Sequence, residues 1–273
     1  MTVFETARSL LFVPADRPER FAKALASGAD GVIIDLEDAV APKAKAAARV
    51  DLANWLNSVR TGNICVRING VAHPDHDLDL ALTKHPRVDA VMLPKVDNAD
   101  CCRLVSAASG KPILALIETA KGLTTANEIA TAPSVCRLVL GTIDLALDLG
   151  IDGNTAHGVS LLDHARAILT VASRAAGISA PVDGVYSRIA DDKGLDLAST
   201  KARGFGFTGM LAIHPRQINV IHQALLPTAD QTLWAHRVLE STANNRGAFL
   251  LEGQMIDAPV IAQARRVLER ARE

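Results

Sequence analysis

The chain has 273 residues, 49% hydrophobic, 3% aromatic and 22% charged, with a formal net charge of −1. That balance gives no electrostatic footing for nucleic acid or an anionic membrane surface, and no apolar run approaches the roughly 20 residues of a membrane span. The length suits one large α/β domain or two small ones around an aliphatic core, and nothing near the start reads as a signal peptide.

In chain order, short and nearly continuous apolar runs alternate with amphipathic segments. Strands are predicted at Ser9–Pro14, Gly31–Leu36, Ile64–Asn69, Ala90–Pro94, Pro112–Glu118, Arg137–Gly141, Ala180–Gly184 and Gly209–Ile213. Such runs fit parallel strands buried on both faces. Helices are predicted at PERFAKALASG, stopping at Gly28, and at KAKAAARVDLANWLNSV, with Trp55 on the apolar face. Another is predicted at DHARAILTVASRAAG, which groups Ala165, Ile168, Leu169 and Ala172 and ends at Gly177. Eight βα units in roughly 220 residues fit a (β/α)8 TIM barrel over residues 1–225. An open doubly wound sheet is the alternative, but its glycine-rich fingerprint is absent: the first turn reads VPADRPER. Residues 226–273 add two amphipathic helices, PTADQTLWAHRVLES and APVIAQARRVLERA. They form a C-terminal extension that packs on the barrel or reaches a neighbouring subunit.

The four cysteines, Cys65, Cys101, Cys102 and Cys136, form no C-x-x-C pair. They read as neutral thiols of a reducing, cytoplasmic compartment.

A barrel of this kind carries its active site at the C-terminal ends of the strands. There the second strand brings Asp35, Glu37 and Asp38, the third Arg67 and Asn69, the fourth Lys95 and the fifth Glu118. The sixth runs into Asp144 and Asp148, the seventh carries Asp183 and the eighth leads to His214. Carboxylates without a His/Cys set suit a hard divalent cation. Mg2+ needs only one or two protein carboxylates, because it keeps several waters. Glu118 and Asp144 are the best-placed pair; solvated or helix-capping carboxylates are the alternative. Asp35 lies inside its strand and calls for a cation, either Arg67 on the next strand or Lys45 on the following helix.

The segments RSLLFVPADRPERFAKA, GADGVIIDLEDAVAPKAKAAAR, VRING, VMLPKV, ALIETAKGL, LGTIDLALDLG, GFTGMLAIHPRQI and GQMIDAPVIAQARRVL run in this order from Arg8 to about Arg270. Together they resemble the citrate lyase β-subunit (CitE-like) family of the HpcH/HpaI aldolase/citrate lyase superfamily. The resemblance implies a (β/α)8 barrel, usually a homotrimer, that binds Mg2+ and acts on CoA or acyl-carrier-protein thioesters. It implies Glu118 and Asp144 as metal ligands, with Glu118 also on the substrate side. It implies Arg67 at the substrate carboxylate or thioester oxygen, and Asp257 as an acid delivered from a neighbouring subunit in malyl-CoA lyase relatives. Glu37 and Asp38 would face the cavity through metal-bound waters.

The implied reaction is cleavage of a short 3-hydroxyacyl-CoA of malyl, citramalyl or citryl type into a 2-oxo acid and an acyl-CoA. Alternatives are the β subunit of a citrate lyase complex using a carrier-protein thioester, and a malate synthase-like or thioesterase activity in the same site. An always-charged guanidinium, Arg67, would stabilise the enolate oxygen, and Asp257 would transfer the proton at carbon. Asp257 precedes Ala258-Pro259, so helix capping is its ordinary role. Lys95 either binds a phosphate or pairs with a rim acid, His214 reads as a helix cap, and Arg17 and Arg20 could meet CoA phosphates. Glu37-Asp38 stands where pyruvate-type aldolases of the superfamily carry an acid followed by His, which argues against a His-based aldolase mechanism.

Overall fold

The computed structural model describes residues 2–242 and 247–271. The chain divides into two compact units, Met1–His222 and Gln223–Glu273.

The first unit is a closed barrel of eight parallel strands: β1 (Ser9–Pro14), β2 (Gly31–Asp35), β3 (Ile64–Arg67), β4 (Ala90–Leu93), β5 (Ile113–Ile117), β6 (Val135–Leu140), β7 (Val182–Asp183) and β8 (Gly209–Ala212). Every predicted strand is present, with ends shifted by at most two residues. Closure is direct, since Ser9 of β1 pairs with Met210 of β8, and this rules out the open sheet. Leu10, Ile33, Cys65, Met92, Leu114, Leu116, Val139 and Leu211 form the core cluster. These are the aliphatic layers that make such a barrel solid.

Helices follow the strands as the sequence pattern dictates. Lys45–Ser58 buries Ala48, Leu52 and Leu56, and its Trp55 ring meets Phe21 edge-on at 4.9 Å between centroids. Ala156–Ala176 buries Ala165, Leu169 and Ala172 and ends at Gly177, whose φ of +72° caps it. Arg137, at the start of the barrel core, is fully buried and makes no ion pair with a carboxylate among the described residues. Its guanidinium donates to the Ala7, Ala180 and Pro181 carbonyls and to Thr208 Oγ1, tying the N-terminal segment to the approaches of β7 and β8. Desolvation lowers its pKa to about 10, which still leaves it charged at neutral pH.

The second unit contains helices Ala229–Thr242 and Ala258–Ala271 and a two-stranded antiparallel hairpin, β9 (Phe249–Leu251) and β10 (Gln254–Ile256). Ala235, Val238, Ile256 and Ala264 form its buried core. The hairpin was not anticipated from sequence. Its turn residues Glu252 and Gly253 both have positive φ, +50° and +83°, the conformation of a two-residue primed turn. Among the described residues no helix is long and apolar enough to cross a membrane.

Candidate active site

The C-terminal rim of the barrel opens into a cavity of about 360 Å3. Four acids, Asp35, Asp38, Glu118 and Asp144, and two cations, Arg20 and Arg67, line it. Phe12, Leu116, Val185 and Leu211 supply apolar wall.

Register settles the partner of Asp35. Asp35 lies opposite Arg67 in the β2–β3 ladder, and the two form a bidentate pair, Nε to Oδ1 at 2.7 Å and Nη2 to Oδ2 at 2.6 Å. Asp35 also accepts from the Glu37 and Ala39 amides, at 2.9 and 3.2 Å, and so shapes the turn after β2. Lys45 does not pair with Asp35. Its buried ammonium donates to the carbonyls of Leu36 and Glu37, each at 2.7 Å, and to Asn69 Oδ1 at 2.8 Å. Asn69 in turn donates to Leu36 O and to the buried Asp79.

Arg67 has one edge taken up by Asp35 and one face laid on the Phe12 ring, 4.8 Å from its centroid. Nη1 lies 3.0 Å from Glu37 Oε2, within ion-pair range. The geometry is not that of a hydrogen bond, and Glu37 Oε2 has no hydrogen-bond partner among the described residues. Burial alone would lower the Arg67 pKa; Asp35, Glu37 and Glu118 outweigh it and raise it.

Glu37 is buried and does not line the cavity. It borders an adjacent groove of about 810 Å3, which it shares with Asp38, Lys45, Asn69 and Lys95. Burial pushes its carboxyl pKa up, against the opposing pull of Arg67 and Lys95. The Lys95 ammonium donates to Glu37 Oε1 and lies 3.5 Å from Asp38 Oδ2. Of the two roles open to Lys95, the structure shows pairing with rim acids.

Glu118 follows β5 and is 2% exposed. Thr119 next to it caps helix Ala120–Thr124 by accepting from the Gly122 amide at 3.0 Å, so the helix starts directly after Glu118. The Glu118 Oε1 atom accepts from the Lys95 amide at 2.9 Å. Burial, then Asp144 and Glu37, push its pKa up to about 8. Asp144 stands in the first turn of helix Thr142–Asp148, immediately beyond β6.

Among the described residues no cluster of three or more His, Cys, Asp or Glu forms a cage for a metal. A hard cation that keeps its waters needs less. Glu118 has one oxygen taken up by an amide, while Asp144 makes no hydrogen bond or ion pair with another described residue. Two carboxylates beside one cavity, one of them with its pKa raised by burial and then by its neighbours' charge, fit a divalent cation, which binds the ionised form.

The remaining candidates fall elsewhere. Asp148 accepts from the Ala120 amide at 2.6 Å, and Asp183 is paired with Arg166 at 2.9 Å. His214 accepts from the Arg216 amide in an exposed turn. Arg17 is exposed near Asp16, whereas Arg20 lines the cavity. Asp257, in the second unit, accepts from the Val260 amide at 3.2 Å and caps the last helix.

The model of the HpcH/HpaI aldolase/citrate lyase family matches residues 8–215. A citrate lyase subunit beta-like protein of Mycobacterium tuberculosis is 40% identical over 267 residues, covering 96% of this chain and 95% of that one. A (3S)-malyl-CoA thioesterase of Cereibacter sphaeroides is 32% identical over 271 residues, covering 97% and 94%. Among solved structures, CitE of M. tuberculosis in complex with magnesium, acetoacetate and coenzyme A is similar with a TM-score of 0.89 at 38% identity, covering 98% of this chain and 99% of that one.

Proposed function

The chain belongs to the HpcH/HpaI aldolase/citrate lyase family as a CitE-like member, and from that premise we propose that it is a Mg2+-dependent carbon–carbon lyase. Its substrate is a short 3-hydroxyacyl-CoA of malyl, citramalyl or citryl type, and its products are a 2-oxo acid and an acyl-CoA. The observation that carries the reading is the juxtaposition of Glu118, Asp144 and Arg67 in one cavity. The magnesium, oxo-acid and coenzyme A complexes of the M. tuberculosis relative support it.

Glu118 and Asp144 would hold the cation. Bound Mg2+ supplies Lewis acidity and a template for the substrate hydroxyl and carboxylate. The chain's own residues do the rest. When the carbon–carbon bond breaks, the substrate hydroxyl gives up its proton to solvent and becomes the 2-oxo carbonyl, the electron pair of the bond becomes a thioester enolate, and Arg67 stabilises the developing charge on oxygen. Its guanidinium is held rigid by Asp35 and Phe12, so it needs no reorganisation at that moment. Asp257 delivers the proton to the carbanion carbon, a role assigned on resemblance. Glu37 and Asp38 set the charge around the cation.

The test uses purified protein with Mg2+ and the three hydroxyacyl-CoAs. One of them yields its 2-oxo acid and acyl-CoA, and Glu118→Ala abolishes that release. Turnover of a free hydroxy-oxo acid with no acyl-CoA consumed overturns the assignment. The malyl-CoA thioesterase relative favours a second reading, hydrolysis in the same site, and free CoA without a 2-oxo acid would identify it. Parallel assays with a carrier-protein thioester test the citrate lyase complex, and light scattering tests the homotrimer.

A further inference from the structure

Lys95 is one of three described non-glycine residues with a left-handed backbone, at φ +51°. The other two, Ser134 and Glu252, lie just before β6 and in the β9–β10 turn; Lys95 stands at the rim of the site. A positive φ suits glycine and strains a residue with a Cβ. Strain of this kind persists where the surrounding structure uses it.

Two contacts depend on this residue. The Lys95 amide leaves the β4–β5 ladder and donates to Glu118 Oε1 at 2.9 Å, and the chain returns to β5 when the Val96 amide donates to Leu116 O at 3.3 Å. Its side chain reaches Glu37 Oε1, in the turn that follows β2. One residue therefore joins acids from β2 and β5. Glycine would take the backbone conformation without strain, but only a side chain with a terminal cation reaches Glu37.

We propose that Lys95 is a positioning residue, whose left-handed backbone fixes Glu118 while its ammonium fixes Glu37, setting the two carboxylates relative to each other for the cation site. The consequence for metal rests on the Mg2+ reading above; the grip on the two acids does not. Electrostatics and positioning predict opposite signs. Removing a cation beside three acids, Glu37, Asp38 and Glu118, should tighten binding of a divalent ion if charge alone matters. Releasing residues that orient a metal ligand weakens it, by about tenfold or more.

The experiment compares full-length Lys95→Met, Lys95→Ala and Lys95→Gly with wild type. Mn2+ affinity is measured by calorimetry, and thermal midpoints are measured in metal-free buffer. The expected result is Mn2+ affinity weakened about tenfold in all three variants. Lys95→Gly should also melt above Lys95→Ala, and Lys95→Met should combine non-additively with Glu37→Gln. Unchanged or tighter Mn2+ binding overturns the positioning role. A glycine variant no more stable than the alanine variant overturns the strained backbone. Additive melting changes overturn the grip on Glu37. If wild type binds no Mn2+, the Mg2+ reading fails, and the two melting comparisons alone decide for or against Lys95.

Discussion

Gly141 makes room for Glu118: a Cβ at position 141 would lie 2.6 Å from the Glu118 Cβ and 2.7 Å from its Oε2. The Gly141 φ of −93° is open to any residue, so the need for glycine here is spatial and not conformational. Because Glu118 is itself buried, an added methyl leaves it little freedom to yield without moving. Gly141→Ala should keep the fold, at an overpacking cost of about 1–3 kcal/mol, and lower both Mn2+ affinity and turnover at least tenfold. Calorimetry alongside a thermal melt checks this. Full Mn2+ affinity in a folded variant would show that Glu118 need not sit where it does.

The raised pKa of Glu118 has a consequence for stability. The folded value of about 8 lies above the ordinary 4.5, so the folded state holds a proton that the unfolded state releases. This contribution is fully present below pH ~4.5 and is lost as pH rises through about 8. In metal-free buffer the melting temperature should therefore fall across that window more steeply in wild type than in Glu118→Gln. A saturating divalent cation, which binds the ionised form, should offset the fall at pH 8. Parallel slopes for the two proteins in chelator would refute the buried, protonated carboxyl.

Lys45 holds the turn that presents Glu37 and Asp38. Its three ammonium protons meet three acceptors, two of them main-chain carbonyls. Lys45→Met keeps the aliphatic stem but removes every donor. Asn69 still serves Leu36 O, and the Val40 amide still serves Glu37 O at 3.2 Å, so Asn69 Oδ1 is the group left wanting. An unsatisfied buried polar group costs about 1–3 kcal/mol, and a loss of about that size in denaturant unfolding is expected. A variant as stable as wild type would show that water replaces the ammonium.

The barrel was legible because each strand is a short buried apolar run, a pattern that residue type alone reveals. The acids and Arg67 at the strand ends were legible for the complementary reason: charged side chains are unusual beside such runs. What the sequence hides is which cation meets which acid. Asp35 had two plausible partners, and only the β2–β3 register chose Arg67. The left-handed backbone of Lys95 has no signature in a lysine, and the space kept by Gly141 depends on a neighbour on another strand. The β9–β10 hairpin was missed because three-residue strands carry too little alternation, although Glu252-Gly253 offered a turn signal.

Asp257 separates capping from catalysis by substitution. In its own unit it caps helix Ala258–Ala271 through Oδ1 and the Val260 amide. Asparagine keeps an oxygen acceptor at that position and is as good a cap as aspartate, but it cannot carry a proton at neutral pH. Alanine removes both functions, at a capping cost of about 0.5–2 kcal/mol. If Asp257 performs the proton transfer, Asp257→Asn should melt like wild type and lose about 10²–10⁴ in turnover, the usual contribution of general acid–base catalysis. It should also lose exchange of the acyl-CoA α-protons with deuterated solvent, a readout that capping would not move. If Asp257 is a cap alone, Asp257→Asn keeps both turnover and exchange while Asp257→Ala loses only stability.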